Sequence, residues 1–592
     1  MKQLMTGNEA VARGAWEAGV RVVSAYPGTP STEITENAAR YAEIYAEWSP
    51  NEKVALEVGI GASVAGGRAL TAMKHVGVNV AADPLFTVAY TGVTGGLVLV
   101  SADDPGMHSS QNEQDNRHFG RAAKIPVLEP SDSQEAKDFT IAAFALSEEY
   151  DTPVMLRITT RVAHSRSLVE LGARSERPLP PYVKDARKYV MIPAYARPRH
   201  AAVEARLTAL GELAETTPLN RVERGEDKSV GIVTGGIAYQ YVKETQPGAS
   251  VLKLGLAFPL PRRKITEFAR SVKRLYVVEE LEDFWEGYLR AWGLPVRGKE
   301  IFPWTGELQP EVLTAALAAE TETEAGSRPS SPPVTVAAAE PPARPPVLCP
   351  GCPHRGLFYV LSKMRLTVAG DIGCYTLGCL EPLNALDTTI CMGASIGAAI
   401  GMEKTRGPEF AQKLVAVIGD STFIHSGITG LIDAVYNKTR TTLLILDNRT
   451  TGMTGHQDNP VTGRTLQGEK YREIDLTQLC RAVGVDRVTT VDPFDLKLME
   501  QTLRAELAAA EPSVVIARRK CALIDREAAR PPLVVDQTKC NGCFRCMRLG
   551  CPCLSRQEKK AVIAGQCIGC GLCSQVCAPG AIGSAGEAGE TL

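Results

Sequence analysis

Two groups of residues in this chain have the types and spacing to do chemistry. The first spans Leu414 to Asn448. An apolar run, Leu414 to Ile418, ends in Gly419-Asp420-Ser421, and a second, Leu443 to Leu446, ends in Asp447-Asn448. Between them Ile428, Leu431, Ile432 and Val435 fall at helical spacing. A strand–helix–strand unit sets its two strand ends side by side in a parallel sheet, where open α/β sheets bind their ligands. The Asp420 carboxylate, the Asn448 amide oxygen and the Thr450 carbonyl then suit magnesium, which prefers oxygen ligands and completes its shell with phosphates. A strand-end Asp by itself is an ordinary solvated residue. The pairing with Asn448 across one helix is what points to a bound diphosphate.

The second group is cysteine. Of 16 cysteines, nine lie beyond residue 539. Cys540, Cys543, Cys546 and Cys551 form C-x2-C-x2-C-x4-C-P, and Cys567, Cys570, Cys573 and Cys577 form C-x2-C-x2-C-x3-C, with Ala578 before Pro579. Thiolates at these spacings hold [4Fe–4S] clusters. Paired C-x2-C units also fit zinc, but two successive runs of four in this order favour iron–sulfur. Electrons then pass through the tail one at a time.

Several elements must position these groups. The chain has 592 residues, long enough for roughly four domains. Residues 1–165 read as an α/β domain. A strand at Val20 to Ala25 runs into Tyr26-Pro27-Gly28-Thr29-Pro30-Ser31-Thr32, where Ser31 or Thr32 is expected to cap a helix carrying Glu33. A second strand, Leu97 to Ser101, leads into a polar loop from Asp103 to Arg117. Residues 166–318 read as a connector, with a helix near 199–215, followed by a smaller α/β domain with strands at Val230 to Thr234 and Leu275 to Val278. Residues 319–346 are rich in Pro and Ala and read as a linker. Residues 347–530 hold the Asp420 unit and end in a strand at Ser513 to Ala517, and residues 531–592 form the cysteine module.

Composition narrows the function. A net charge of −2 argues against nucleic-acid and membrane-surface partners. The first twenty residues contain no apolar signal region, so a cytoplasmic location is expected. The uncharged stretch Pro84 to Ala102 is broken by Gly and Thr and framed by Asp83 and Asp103, which fits a buried helix and strand better than a membrane span. Dense cysteine without a secretory signal means metal rather than disulfides.

The Gly419-Asp420-Ser421 turn and the later Asp447-Asn448 resemble the thiamine diphosphate motif, Gly-Asp-Gly followed one helix later by Asn. Ser421 replaces the second Gly and Asp447 replaces the first Asn of an Asn-Asn form. Together with Tyr26 to Thr32, the Asp103-to-Arg117 loop, Cys349-Pro350-Gly351-Cys352-Pro353-His354 and the ferredoxin-like tail, the chain resembles the 2-oxoacid:ferredoxin oxidoreductases. It is most similar to the alpha (large) subunits of their indolepyruvate branch. The resemblance covers nearly the whole chain. It implies a multidomain α/β fold: two thiamine-diphosphate-binding parallel-sheet domains (pyrimidine, then diphosphate), a transketolase C-terminal-like α/β domain between them, and a two-cluster ferredoxin-like α+β module.

The site residues follow from that resemblance. In two-cluster ferredoxins the fourth Cys of each run serves the other cluster, which implies one set of Cys540, Cys543, Cys546 and Cys577 and another of Cys567, Cys570, Cys573 and Cys551, with Cys553 an alternative to Cys551. Cys349, Cys352, Cys374 and Cys521 match a third cluster of relatives, while Cys379 and Cys391 stay unassigned. Glu52, nine residues before the Gly61 of a Gly-Ala-x-x-Ala-Gly stretch, is the implied activator of the cofactor, with Glu57 the alternative. Tyr26 and Thr29 are expected to face the cofactor or substrate. Of His354, His425 and His456, His354 is assigned to the cofactor. The implied reaction is CoA-dependent oxidative decarboxylation of aryl 2-oxo acids such as indolepyruvate and phenylpyruvate, with ferredoxin reduced and a small beta subunit as partner in a hetero-oligomer. The rivals are the same reaction on pyruvate, 2-oxoglutarate or branched 2-oxo acids, a non-redox thiamine decarboxylase, and a non-catalytic electron-transfer subunit.

Overall fold

The computed structural model describes residues 1–324, 346–525, 527 and 530–584. The chain divides into two compact units, Met1–Glu340 and Pro341–Leu592.

The first unit is built on a seven-stranded sheet. Its strand order is Leu256–Phe258, Val127–Leu128, Val154–Thr159, Leu97–Asp103, Ala69–Lys74, Val22–Ala25 and Tyr45–Trp48, and all but the first edge pairing are parallel. The stretch from Pro84 to Ala102 is divided as its Gly and Thr residues predicted. A helix, Ala82–Thr91, ends at Gly92, whose φ of 68° is left-handed, and the strand Leu97–Asp103 follows in mid-sheet, buried throughout. No helix among the described residues is long and apolar enough to cross a membrane.

The helix Thr32–Ala38 follows Ser31, but the Ser31 hydroxyl donates to Gly28 O at 2.8 Å instead of capping the helix. The expected side-chain cap is therefore absent, because the turn behind the helix claims the hydroxyl. The connector helix runs longer than expected, Pro193–Thr216, with Pro193 in its first turn, where a missing N–H costs nothing. The expected strands at Val230 and Leu275 lie within Asp227–Thr234 and Arg274–Val278, neighbours in a five-stranded sheet. The first and second segments are not independent layers. Leu256–Phe258 leaves the second segment to pair antiparallel with the first sheet's edge. The presumed linker also begins later than expected: residues 319–324 still belong to the helix Pro310–Glu324, and the rest of that stretch lies outside the described residues apart from residue 346.

The second unit carries a six-stranded, wholly parallel sheet in the order Thr388–Thr389, Thr367–Gly370, Leu414–Gly419, Thr442–Asp447, Ser513–Arg518 and Arg487–Val491. Both faces are covered, so the strands read as unbroken apolar runs. The cysteine tail adds two short antiparallel pairs, Val534–Val535 with Ile582–Gly583 and Leu554–Gln557 with Lys560–Ile563. Its Leu549, Leu572 and Ile582 share one apolar core with Leu357, Phe358 and Met499 of the sheet domain.

Candidate functional site

Strands Leu414–Gly419 and Thr442–Asp447 pair in parallel, with Gly419 opposite Leu446, so Asp420 and Asn448 emerge at adjoining strand ends. Asp420 is 2% exposed, and Asn448 and Thr450 are also buried. An α-helical turn, Asp420–Thr422, starts at Asp420 but does not continue unbroken. Phe423–Gly427 forms a π-helical turn before the helix Ile428–Tyr436, a distortion common at functional sites. Of the four residues expected on the buried stripe, Ile432 is 48% exposed, because the covered face is narrower than the apolar pattern.

Asp420 Oδ1 accepts from Ser421 N at 2.7 Å and Oδ2 from Arg449 N at 2.9 Å. Two of about four carboxylate acceptor sites remain. Burial, reinforced by the neighbouring Asp447 carboxylate, raises the Asp420 carboxyl well above the usual range. Asp447 itself is paired with Arg518 Nε at 2.6 Å and Arg449 Nε at 3.5 Å. Two buried carboxylates side by side, with the arginines on Asp447 alone, form a donor set that fits a divalent cation. Asn448 adds an amide: Nδ2 lies 3.5 Å from His354 Nε2, and Oδ1 accepts from Thr450 N at 3.3 Å. The Thr451 hydroxyl reaches Ser421 Oγ at 3.0 Å, so the two strand ends are tied together.

His354 opens the helix His354–Met364 and meets Tyr375 edge-on at 5.8 Å. Burial pushes its pKa down to about 4, which leaves it neutral at pH 7. His425 lies in the π turn with Nδ1 2.9 Å from Ser426 Oγ, and His456 lies in the loop that pairs Thr451 with Gln457. Asp371, not singled out from sequence, ends the adjacent strand. It accepts from the backbone N–H of Ile372, Gly393 and Ser395 at 2.8–2.9 Å and so anchors the helix Ala394–Arg406.

Cys349, Cys352, Cys374 and Cys521 come together beside the same strand ends. Cys521 N donates to Asn448 O at 3.0 Å. Burial raises the Cys352 thiol to about 12 and the Cys374 thiol to about 11, and lifts that of Cys521. Neighbouring thiols add to each shift: Cys349 and Cys374 act on Cys352, Cys521 and Cys349 on Cys374, and Cys349 on Cys521. Cys352 is buried and the other three are half-buried, and this group of neighbouring thiols suits a cationic metal core, which displaces thiol protons on binding. The remaining cysteines separate from this set: Cys379 and Cys391 are exposed, and Cys480 is a core residue of the helix Leu476–Ala482.

In the tail, Cys540, Cys543, Cys546 and Cys577 line one cavity. Cys567, Cys570, Cys573, Cys551 and Cys553 line a second. Each grouping draws its last member from the other run, the grouping that the ferredoxin resemblance implied.

In the first unit, Glu52 begins the helix Glu52–Val64, whose N-cap Asn51 accepts from Val54 N. Glu52 is buried against Gly77, where a Cβ would stand 2.7 Å from the Glu52 Cγ. Glu57 lies on the exposed face, paired with Lys53. Tyr26 is buried, and Thr29 lies in the loop between the strand Val22–Ala25 and the helix Thr32–Ala38, its carbonyl accepting from Ser109 Oγ at 3.4 Å. The Asp103-to-Arg117 loop is held by side chains the sequence left unremarked. Lys74 Nζ donates to Ser109 O at 2.6 Å, and burial lowers its pKa to about 8. Arg117 pairs with Asp115 and with Glu279, both fully buried. No local motif marks Lys74, which ends the strand Ala69–Lys74, or Arg117, which opens the helix Arg117–Ala123.

A family model described as "Pyruvate flavodoxin/ferredoxin oxidoreductase, thiamine diP-bdg" matches residues 13–209, and one described as "Thiamine pyrophosphate enzyme, C-terminal TPP binding domain" matches residues 371–517. A Pyrococcus horikoshii protein named indolepyruvate oxidoreductase subunit IorA is 41% identical, covering 98% of this chain and 96% of its own. The protein of that name from Archaeoglobus fulgidus is 43% identical over 97% and 96%. A shorter match, 35% identical over 28% of this chain and 47% of the relative, is to 2-oxoglutarate synthase subunit KorA of Methanothermobacter thermautotrophicus. The solved structure of 2-oxoglutarate:ferredoxin oxidoreductase from Magnetococcus marinus overlaps with a TM-score of 0.46 at 19% identity, covering 54% of this chain and 65% of that one. With thiamine-binding domains at both places the strand ends indicate, and full-length similarity beyond them, the chain belongs to the indolepyruvate oxidoreductase subunit IorA family of thiamine-diphosphate-dependent 2-oxoacid:ferredoxin oxidoreductases.

Proposed function

We propose that this chain is the large subunit of a cytoplasmic enzyme that oxidises aryl 2-oxo acids, indolepyruvate and phenylpyruvate foremost, to aryl-acetyl-CoA. In the balanced reaction, 2-oxo acid, CoA and two oxidised ferredoxins give acyl-CoA, carbon dioxide, two reduced ferredoxins and one proton. The observation that carries the reading is the junction at Asn448. Two adjoining strand ends present the Asp420–Asn448 oxygen set, and the Cys521 N–H on the Asn448 carbonyl ties the cysteine quartet to it. A carbon-centred redox site and its electron outlet would then share a single loop.

Asp420, Asn448 and the Thr450 carbonyl hold magnesium and, through it, the diphosphate, flanked by Gly419 and Ser421. Thiamine diphosphate, when bound, supplies the carbanion chemistry of decarboxylation. Neutral His354 orients the Asn448 amide. Glu52 would hold the aminopyrimidine of the cofactor by a hydrogen bond and serve as its acid–base group, with Tyr26 and Thr29 facing the same ligand. Cys349, Cys352, Cys374 and Cys521 bind a first [4Fe–4S] cluster. Cys567, Cys570, Cys573 and Cys551 bind a second, and Cys540, Cys543, Cys546 and Cys577 a third. Cys551 is favoured over Cys553 as the fourth corner because both Cys570 and Cys573 have it as an electrostatic neighbour. A small beta subunit completes the hetero-oligomer, and ferredoxin collects the electrons.

The test is anaerobic. The chain is purified with its partner, supplied with indolepyruvate, phenylpyruvate, pyruvate or 2-oxoglutarate plus CoA, and ferredoxin reduction is followed. CoA-dependent reduction confined to the aryl acids is the expected result. Reduction with pyruvate or 2-oxoglutarate instead would overturn the substrate assignment. Decarboxylation without any reduction would favour the non-redox reading.

A further inference from the structure

Arg355 follows the Cys349–Cys352 pair within the helix His354–Met364 and is 2% exposed. Nη1 donates to Leu549 O at 2.8 Å, Nη2 donates to Cys349 O at 3.1 Å, and a further bond from Nη2 reaches Leu348 O. Among the described residues, every hydrogen-bond partner of this guanidinium is a backbone carbonyl, and its Nε is buried without any partner. An arginine does not lose its proton in a protein, and a buried cation without a counter-charge is strongly unfavourable. The guanidinium therefore needs an anion.

The groups that face it are thiols. Arg355 lines the cavity walled by Cys551, Cys553, Cys567, Cys570 and Cys573. Its Nη2 contact with the Cys349 carbonyl places the same guanidinium beside the first cysteine pair. The first cysteine pair packs on the tail at the same place, since a Cβ on Gly351 would stand 2.1 Å from Ile568 Cδ1. The cavity of Cys540, Cys543, Cys546 and Cys577 is lined without it.

We propose that Arg355 is the shared counter-cation of two neighbouring iron–sulfur clusters, the one on Cys349, Cys352, Cys374 and Cys521 and the one on Cys551, Cys567, Cys570 and Cys573, and that it raises the reduction potentials of both. The proposal rests on the iron–sulfur reading above. Reduction of a cluster adds one electron, makes and breaks no bond and requires no proton, so the total charge becomes one unit more negative. A fixed cation alongside stabilises that reduced form. Arg355 acts through the clusters and is a positioning residue.

The test uses the purified complex with its partner, titrated potentiometrically under anaerobic conditions and followed by low-temperature EPR. Iron and sulfide are assayed in every sample. In Arg355→Gln, two midpoint potentials should shift negative while the third stays where it is in wild type. Arg355→Lys keeps the charge but can lose its proton, so the same two midpoints should start near wild type and fall more steeply than wild type as pH rises. Intact iron content with unmoved midpoints in Arg355→Gln, and no added pH dependence in Arg355→Lys, would overturn the assignment. Should Arg355→Gln lose iron, the pH dependence in Arg355→Lys decides. Iron loss from both variants with the surviving midpoints unmoved would assign Arg355 a purely structural role. Wild type lacking iron and sulfide would instead sink the iron–sulfur reading itself.

Discussion

Asp420 and Asp447 place two carboxylates at neighbouring strand ends, both buried, with the arginines on only one of them. A cation at Asp420 would remove that conflict. Asp420→Asn should weaken thiamine diphosphate binding by at least about 100-fold, the upper end seen when outer-shell partners alone are lost. Calorimetry with magnesium and the cofactor checks this, and iron content should not change. Chelation of magnesium should release the cofactor from wild type in the same way. Glu52 and Glu57 stand on one helix but in opposite surroundings, the first buried against Gly77 and the second paired with Lys53 at the surface. Glu52→Gln should lower kcat by about 10²–10⁴-fold, the usual share of a positioned acid–base group, with cofactor binding retained. Glu57→Gln should leave turnover essentially unchanged. Equal losses in both variants would remove Glu52 from its role.

Elements matter where the cysteine loops touch the sheet domain. Gly351 has a φ of 66°, a conformation that glycine adopts without penalty. A Cβ there would also collide with the Ile568 side chain. Gly351→Ala should destabilise the second unit by roughly 1–3 kcal/mol, from backbone strain and overpacking together, measured as earlier thermal unfolding and faster iron loss. Adding Ile568→Ala should recover only the part due to overpacking. Full recovery would show that the left-handed backbone carries no cost. The strands here were legible as apolar runs because both faces of a parallel sheet are covered. The π turn after Asp420 was not, since nothing in Phe423-Ile424-His425-Ser426-Gly427 departs from an ordinary helix start.

At the scale of the whole molecule, the first unit is bound by charges that cross between its segments. Arg117 reaches Glu279 across them, and within the first segment Arg157 lies beside that pair between Asp103 and Glu129. Glu280 sits in the same region with its Oε1 unpartnered. Burial moves its pKa from the ordinary 4.5 to about 7, with Arg157 opposing the shift and Glu129 and Glu307 adding to it. Between those values the folded chain keeps a proton that the unfolded chain releases, so this group's contribution to stability falls as pH rises from 4.5 to about 7. Glu280→Gln should therefore raise the unfolding temperature of the first unit at pH 8, by a free energy on the order of 1–3 kcal/mol, and change little at pH 4. Calorimetry at the two pH values checks the sign. Stabilisation at pH 4 alone would contradict it.

What the amino-acid sequence determined by itself was the chemistry whose spacing is local. Asp420 and Asn448 are one strand–helix–strand unit apart, and the tail cysteines follow one another at two- to four-residue intervals, so short-range geometry already limits what they bind. The family was legible for the same reason, through motifs that each fit within one loop. The family resemblance had already grouped Cys349, Cys352, Cys374 and Cys521; only the tertiary structure separated Cys480 into the core and set Arg355 against thiols about two hundred residues further along the chain. It likewise carried the strand Leu256–Phe258 onto the edge of the first sheet and gave Arg117 its partner in Glu279. Those contacts join distant segments, and their partners are chosen by burial: a cation or thiol that leaves water must meet a complementary group wherever the fold delivers one.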